Sequence, residues 1–475
     1  MNQNWPVRPM TTIADVNPKR SELKLAENEL VDFVPMADVA EEFGGITLKV
    51  PRPAREVSKG YTQFQAGDIL FAKITPCMEN GKVAVVPPLR THIGYGSTEF
   101  HVFRPKPGIH PKWIGHFLAR SDFRRNAQRN MSGSAGQLRV PSKWISEQQI
   151  PVPDPDVQEV VLAKIEELFS DLDAGVAALK RAQANLKRYR ATLLKAAVEG
   201  RLTEQWRAER KAKGIATEPA AKLLARILTA RRKKWEAAQL KKYADAGKVP
   251  PKDWERKCPT PSAPDTSGLA ELPHGWCWAT VDQVAEIQSG LQKQPSRAPK
   301  KNAYPYLRVA NVLRGRLDLT EIHQFELFDG ELDRLKLAAG DILIVEGNGS
   351  PSEIGRCAIW NGEIENCIHQ NHIIRVRPVL TNPRFFDFYW NSPLGTARVK
   401  EKAASTSGLY TLSVSKIANL PLPLAPLEEQ TEIVAQVEAK VSNIAQAETE
   451  IKRSLERAAR LRQAILKRAF EGRLF

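Results

Sequence analysis

The sequence predicts an α+β protein: two mixed α/β blocks separated by two long α-helices that form an antiparallel coiled coil, with a pseudo-two-fold internal repeat. Three observations predict it. Residues 150–202 recur at 422–474 without a gap, at a constant offset of 272, so that IPVPDPDVQEVVLAKIEELF answers LPLAPLEEQTEIVAQVEAKV and TLLKAAVEGRL answers AILKRAFEGRL. Each copy opens on prolines, which cannot donate to a ladder and restrict the residue before them, so each marks a boundary. Each then continues with apolar residues seven apart, the signature of a helix pairing through a seam.

Taken in order, residues 1–150 hold short β-rich runs broken by Gly and Pro: ELVDFVPMADV, GDILFAKI, GKVAVVPP and EFHVFRP. A helical patch follows at 111–128, with Trp113, Ile114, Phe117 and Leu118 at helix spacing. Pro151, Pro153 and Pro155 end the block, and Asp156 can cap the next helix. That helix, within a spacer at 151–202, carries Ile165, Leu172, Leu179, Leu186 and Leu193 on one line and Val161, Leu168, Ala182, Tyr189 and Ala196 on a second. At about 40 residues it would be about 60 Å long. Gly200 is placed to end it, because glycine tolerates the left-handed conformation of a helix stop.

Residues 203–270 form a basic connector. Residues 203–258 hold 16 Lys+Arg against 7 Asp+Glu, which is +9 of the chain's net +16. A helix is expected at 220–246, and the Pro/Ser-rich remainder reads as extended. This helix either clamps DNA through residues 231–234 (RRKK) or packs on a partner through Leu224, Ile227, Leu228 and Trp235. The second block, 271–421, repeats the first plan with YPYLRVANV, GDILIVEG, GRCAIW and HIIRVRP, then a helical patch at 383–399 with Phe385, Phe386, Tyr389 and Trp390. Pro421, Pro423 and Pro426 repeat the boundary. The second spacer, 422–475, has Val437, Ile444, Ile451, Ala458 and Ile465 on the equivalent line, and Gly472 repeats Gly200. Within the blocks the repeat is weaker: AGDIL occurs at 66–70 and 339–343, and residues 33–39 resemble 306–312.

Hydrophobic residues make up 42%, enough for real cores, and no apolar run approaches the roughly 18–20 residues of a membrane span. The five cysteines show no CxxC pair and no disulfide rhythm, and the start has no signal pattern, so a cytoplasmic protein without a membrane partner is expected. The positive charge favours a polyanion, and double-stranded DNA is the first candidate. Two inverted readers on a rigid spacer suit a DNA site with two separated parts.

Catalytic signatures do not emerge. There is no GxxxxGK[ST] loop, no [DN]PP[FYW] tetrapeptide and no glycine-rich turn for S-adenosylmethionine. Residues 346–350 (EGNGS) read as a tight loop, and 331–336 (ELDRLK) as an amphipathic turn rather than a nuclease site. Cys357, Cys367, His369 and His372 fit no common zinc spacing. The expectation is a protein with no catalytic residues, no metal and no cofactor of its own. The rival readings are a fused methyltransferase or nuclease of unusual sequence and a coiled-coil scaffold.

Loops of both blocks are instead rich in side chains that read bases and phosphates. In the first they are Lys73, Thr75, Asn80 and Lys82, with Ser132, Ser134, Gln137 and Arg139. In the second they are Arg308, Asn311, Asn348, Ser350, Arg356, Gln370, Asn371 and His372, with Ser405, Thr406, Ser407 and Tyr410. Arg suits guanine and Asn or Gln suits adenine through paired hydrogen bonds. Lys and Ser suit phosphates. Any one of these could be an ordinary solvated residue; the case lies in the set, since equivalent places carry small-polar loops of different sequence.

On the duplicated boundary and helix (IPVPDPDVQ and LPLAPLEEQ), the closing LLKAAVEGRLTEQWR and ILKRAFEGRLF, the AGDIL of each block, and LPHGWCWATVDQVAEI with IGRCAIWNGEIENCIHQNHIIRVRP, the chain resembles the specificity (S) subunit of Type I restriction–modification enzymes. The resemblance covers essentially the whole chain. It implies two target-recognition domains, each binding half of a bipartite DNA sequence, and spacer helices that dock two modification (M) subunits. It implies further that S-adenosylmethionine, ATP and Mg are bound by the M and restriction (R) subunits, which do the chemistry. The opening Trp5-Pro6-Val7-Arg8 departs from the family's proline-glycine-tryptophan start, which leaves the edge of the first domain open.

Overall fold

The computed structural model describes residues 5–21, 25–134, 136–348, 353–403 and 410–475. They fall into two compact units: residues 1–182 with 450–475, and residues 183–449.

The first unit is built on a four-stranded antiparallel sheet in the order Ala14–Val16, Phe100–Pro105, Ile69–Ala72, Val83–Val85. The second has the same sheet: Ala285–Ser289, Ile373–Pro378, Ile342–Val345, Cys357–Ile359. Even the register repeats. Phe103 faces Ile69 in one, and Val376 faces Ile342 in the other. The AGDIL repeat has a physical cause here. Gly67 and Gly340 take positive φ values of 83° and 92°, which turn the chain into the strand. The aspartate after each glycine is buried. Asp68 accepts the Gln65 amide and two bonds from Arg104, and Asp341 accepts the Ala338 amide and two from Arg377.

A two-stranded ribbon closes each block: Val7–Pro9 pairs with Gln149–Pro151, and Cys277–Thr280 with Pro421–Leu424. Val7 faces Pro151 and Trp278 faces Pro423, so Trp5 stands where Trp276 stands, two residues before each. The edge that the sequence left open is therefore at this ribbon, and Trp5 is the counterpart of the second block's tryptophan.

The aromatic patches are each two helices rather than one. Pro111–Ala119 and Ser121–Arg129 are split by extended Arg120, while Pro383–Asn391 and Pro393–Ala403 are split at Ser392, before a proline. Arg120 has no following proline; the Ser121 amide donates instead to the Gln463 side chain at 2.7 Å, a tertiary bond that no local signal announces. Trp113, Ile114 and Leu118 are buried in the first core, and Phe386, Tyr389 and Trp390 in the second.

The long helices span Pro155–Val198 and Leu427–Phe470. The N-terminal part of the first shares a unit with the C-terminal part of the second, and conversely, so they run antiparallel. Ile165 and Phe169 share a core with Ile465 and Phe470, and Leu193 and Leu194 with Val437 and Ile444. On the line of the second helix Val437, Ile444, Ile451 and Ile465 are buried and Ala458 is half-buried. The second line of the first helix is less well covered. Val161 is buried, but Tyr189 is 50% exposed, and Leu194 and Ala197 pack against the second helix instead, while Val198 enters the second block's core. Gly200, at φ 70°, ends the first helix, and a Cβ there would lie 2.6 Å from Pro273.

The connector helix spans Ala220–Asp245. Leu223 and Ile227 are buried in the second block's own core with Val281 and Val284. Arg231 bonds Asp282, Lys234 pairs with Glu286, and Trp235 stacks on Trp254 at 5.8 Å. Ile227 is thus buried in the chain's own second block, with Leu224 half-buried against the same core, while Leu228 and Trp235 line an open cleft. Among the described residues no helix is long and apolar enough to cross a membrane.

Candidate nucleic-acid interface

In the first block the strand Ile69–Ala72 runs on into Lys73, Ile74 and Thr75. The Lys73 amide donates to Glu99 O at 2.9 Å, the Val140 amide donates to Lys73 O at 2.8 Å, and the Thr75 amide donates to Leu138 O at 3.1 Å. The loop holding Thr75 closes on itself through paired bonds between Ser132 and Arg139, with Gln137 N donating to Ser134 O. This folding brings Lys73, Thr75, Ser132, Ser134, Gln137 and Arg139 to one end of the sheet. Ser132, Ser134 and Gln137 are exposed. Arg139 donates to both oxygens of Glu99, at 2.9 and 2.8 Å, and this bond holds the Glu99 carboxyl below its ordinary range. Thr75 Oγ1 is buried with no partner among the described residues. Asn80 and Lys82 sit on the next turn; Asn80 donates to Glu41, and Lys82 reaches inward to Met36 O at 3.0 Å.

The second block builds the same end from different side chains. The strand Ile342–Val345 runs on into Glu346, whose amide donates to His372 O at 2.9 Å, while the Leu412 amide donates to Glu346 O at 2.7 Å. Gly347–Asn348 then pairs with Tyr410–Thr411. Where the first block has Glu99 with Arg139, the second has His372 Nδ1 2.8 Å from Glu346 Oε2. Asn371 lies beside His372, and its carbonyl accepts from Ser289 Oγ. Gln370 receives the Val309 amide, and Arg308 pairs with Glu321 at 3.1 Å. Asn348 and Tyr410 are placed by their backbone; Ser350, Ser405, Thr406 and Ser407 lie outside the described residues.

Two further predicted residues point inward. Asn311 is buried and donates to Asp318 O and Glu321 O; Arg356 is buried and donates to Val312 O at 2.6 Å and Val309 O at 3.0 Å. Together they fasten the 308–321 loop from within, giving Arg308 and Gln370 a fixed base.

Other residues join the site without a sequence signal. Asn17, Arg20, Gln63, Lys73 and Thr98 line a cleft of 290 Å³ in the first block. In the second, Lys293, Arg308, His323, Gln324 and Gln370 are among those lining a cleft of 650 Å³, above stacked Tyr306 and Phe325. Arg20 and Lys293 are 273 residues apart, an alignment of cations that could have been noticed only with the sheets already superposed. Of the residues weighed for chemistry, Glu331 is held by the two terminal guanidinium nitrogens of Arg297, and His369 is buried with Nδ1 3.0 Å from Ile373 O. Among the described residues no group of three or more His, Cys, Asp or Glu could hold a metal ion.

Residues 273–457 match the family model described as the Type I restriction modification DNA specificity domain. Over 329 residues the chain is 29% identical to the Type I restriction enzyme EcoAI specificity subunit of Escherichia coli, covering 60% of this chain and 52%, about half, of that one. Over 490 aligned positions it is 26% identical to the EcoEI specificity subunit of Escherichia coli, covering 92% of this chain and 77% of the relative. Among solved structures, a chain of the type I R-M system, described for its complex assembly and conformational transition, superposes with a TM-score of 0.66 at 18% identity, over 99% of this chain and 98% of that one.

Proposed function

We propose that the chain is a Type I restriction–modification specificity subunit, the sequence-specific DNA-binding subunit of such a complex, a reading supported by the family match over residues 273–457 and the likeness to the two Escherichia coli specificity subunits. Each block reads one half of a bipartite target in the major groove. The long helices space the two readers and dock two modification subunits, with restriction subunits completing the assembly. The chain does no chemistry of its own: S-adenosylmethionine, ATP and Mg are held by the partner subunits, and the complex works in the cytoplasm.

One observation supports this reading above the rest. Both units carry the same sheet in the same register, and the same end of each sheet is rimmed by polar loops that differ in sequence. A shared frame with divergent rims suits two readers of two different half-sites, because base contacts specify while the frame positions. The net charge of +16 favours the phosphate backbone.

The test is an exchange of residues 271–421 for the equivalent block of another family member, read by mapping methylated adenines. One half of the recognised sequence should change and the other should stay. A change in both halves, or in neither, overturns the reading. Methyl transfer from S-adenosylmethionine by the purified chain alone would overturn its non-catalytic part.

A further inference from the structure

We propose that Gln158 and Gln430 are positioning residues that lock each recognition block onto its long helix and so set the gap between the two DNA half-sites. The inference rests on the reading of the chain as a two-half-site DNA-recognition subunit.

Gln158 stands in the first turn of the first long helix and Gln430 in the first turn of the second, 272 residues later. A glutamine at such a place is ordinarily solvated, yet these are 1% and 0% exposed. Their side-chain amides are engaged by backbone groups of the block. Gln158 Oε1 accepts the His110 amide at 2.9 Å, and its Nε2 donates to Pro153 O at 2.9 Å and Gly108 O at 3.1 Å. Gln430 Oε1 accepts the Asn382 amide at 2.8 Å, and its Nε2 donates to Ala425 O at 2.8 Å.

The partners are themselves equivalent. His110 and Asn382 cap the aromatic helices Pro111–Ala119 and Pro383–Asn391 with their own side chains. Pro153 and Ala425 lie in the proline boundary before each long helix. One side chain therefore ties three things: the start of the long helix, the turn leading into it, and the cap of the helix that underlies the reading sheet. Groups buried this way are directional, so they fix the angle at which the block meets the helix, where apolar packing alone tolerates sliding.

The second unit has an additional tie. Glu429 is buried and accepts from Thr203 Oγ1 at 2.6 Å and Trp276 Nε1 at 2.8 Å, with Arg207 also bonded to it. The equivalent position in the first unit is Val157, which has no polar group to offer. Loss of Gln158 should therefore loosen its block more than loss of Gln430.

The experiment uses the full chain assembled with its modification subunits. Duplexes carry the two half-sites at the native gap and at gaps one and two base pairs longer or shorter, and binding is measured to each. Wild type should prefer the native gap sharply. In Q158A that preference should fall by about ten-fold, the order expected for losing a buried hydrogen bond, while binding to either half-site alone is unchanged. In Q430A it should fall less. If Q158A does not fold, Q158E serves: it keeps the acceptor for His110 and loses both donors. Variants that keep the wild-type gap profile and lose only thermal stability overturn the proposal alone. A wild-type complex that binds all gaps alike overturns both the proposal and the reading beneath it.

Discussion

The indole N–H of Trp5 donates to the carbonyl oxygen of Ala469 at 3.0 Å, tying together residues 464 positions apart. The first block thus begins on the end of the last helix. Trp276 packs in the equivalent place in the second unit, with Ala197 and Leu193 near the end of the first long helix, but its indole N–H donates to Glu429 Oε2 at 2.8 Å instead. Each block is held at one side by the helix that follows it and at the other by the C-terminal end of the other helix.

Replacing Trp5 by Phe should keep most of the apolar contact and remove the bond. A loss of about 1 kcal/mol from the first unit is expected. Urea unfolding followed by a probe placed in that unit would measure it, and an unchanged midpoint would count against the tie.

The buried Asp341–Arg377 pair and its repeat, Asp68–Arg104, should be far more sensitive. Asp341 is 0% exposed, so Arg377→Ala leaves a carboxylate buried with one strong partner gone. Breaking such a pair costs about 3 kcal/mol. Denaturant melts of R377A and R104A should each show a loss of this order, confined to the unit carrying the change.

A pH dependence follows from His116. Burial among Phe43, Phe169 and the helices around it holds its imidazole down to about 3, from the ordinary 6.5. The unfolded chain binds this proton below about pH 6.5, whereas the folded chain does not until about pH 3. Stability therefore falls as pH drops through that window, by about 1.4 kcal/mol per pH unit from this group. The counterpart 272 residues later is Phe388. In His116→Phe the acid loss of the first unit should flatten, which melts at pH 7.5 and 5.5 would reveal. A slope as steep as wild type would assign it to other groups.

The basic run of the connector helix gives a negative prediction. Arg231 and Lys234 are engaged by Asp282 and Glu286 of the same chain. Changing both to Gln should leave the salt slope of DNA binding where it was. A slope shallower by about one or more would mean that they reach phosphates after all.

Much of the frame was legible beforehand. The seven-residue line of the second long helix, the proline boundaries and the glycine stop are local signals, and each is found where its period or its φ preference requires. The rim was legible as a set: the residues at 73–75 and 132–139 do converge on one end of a sheet. Individual roles were not. Arg356 and Asn311 have the residue types of base readers, yet both are buried and bond the backbone of the 308–321 loop. Glu99, a residue the sequence did not single out, holds Arg139.

The sequence by itself determined the duplication, the long helices and the sheet-forming blocks, because periodicity, proline geometry and glycine conformation act over a few residues. Tertiary structure alone decided which polar side chains face outward and which fasten the interior. A buried carbonyl or amide must find a partner, and whichever side chain the fold brings within about 3 Å supplies it, however distant in sequence. Gln158 with His110, Trp5 with Ala469 and Arg356 with Val309 are such pairs, and no local pattern in the chain marks them.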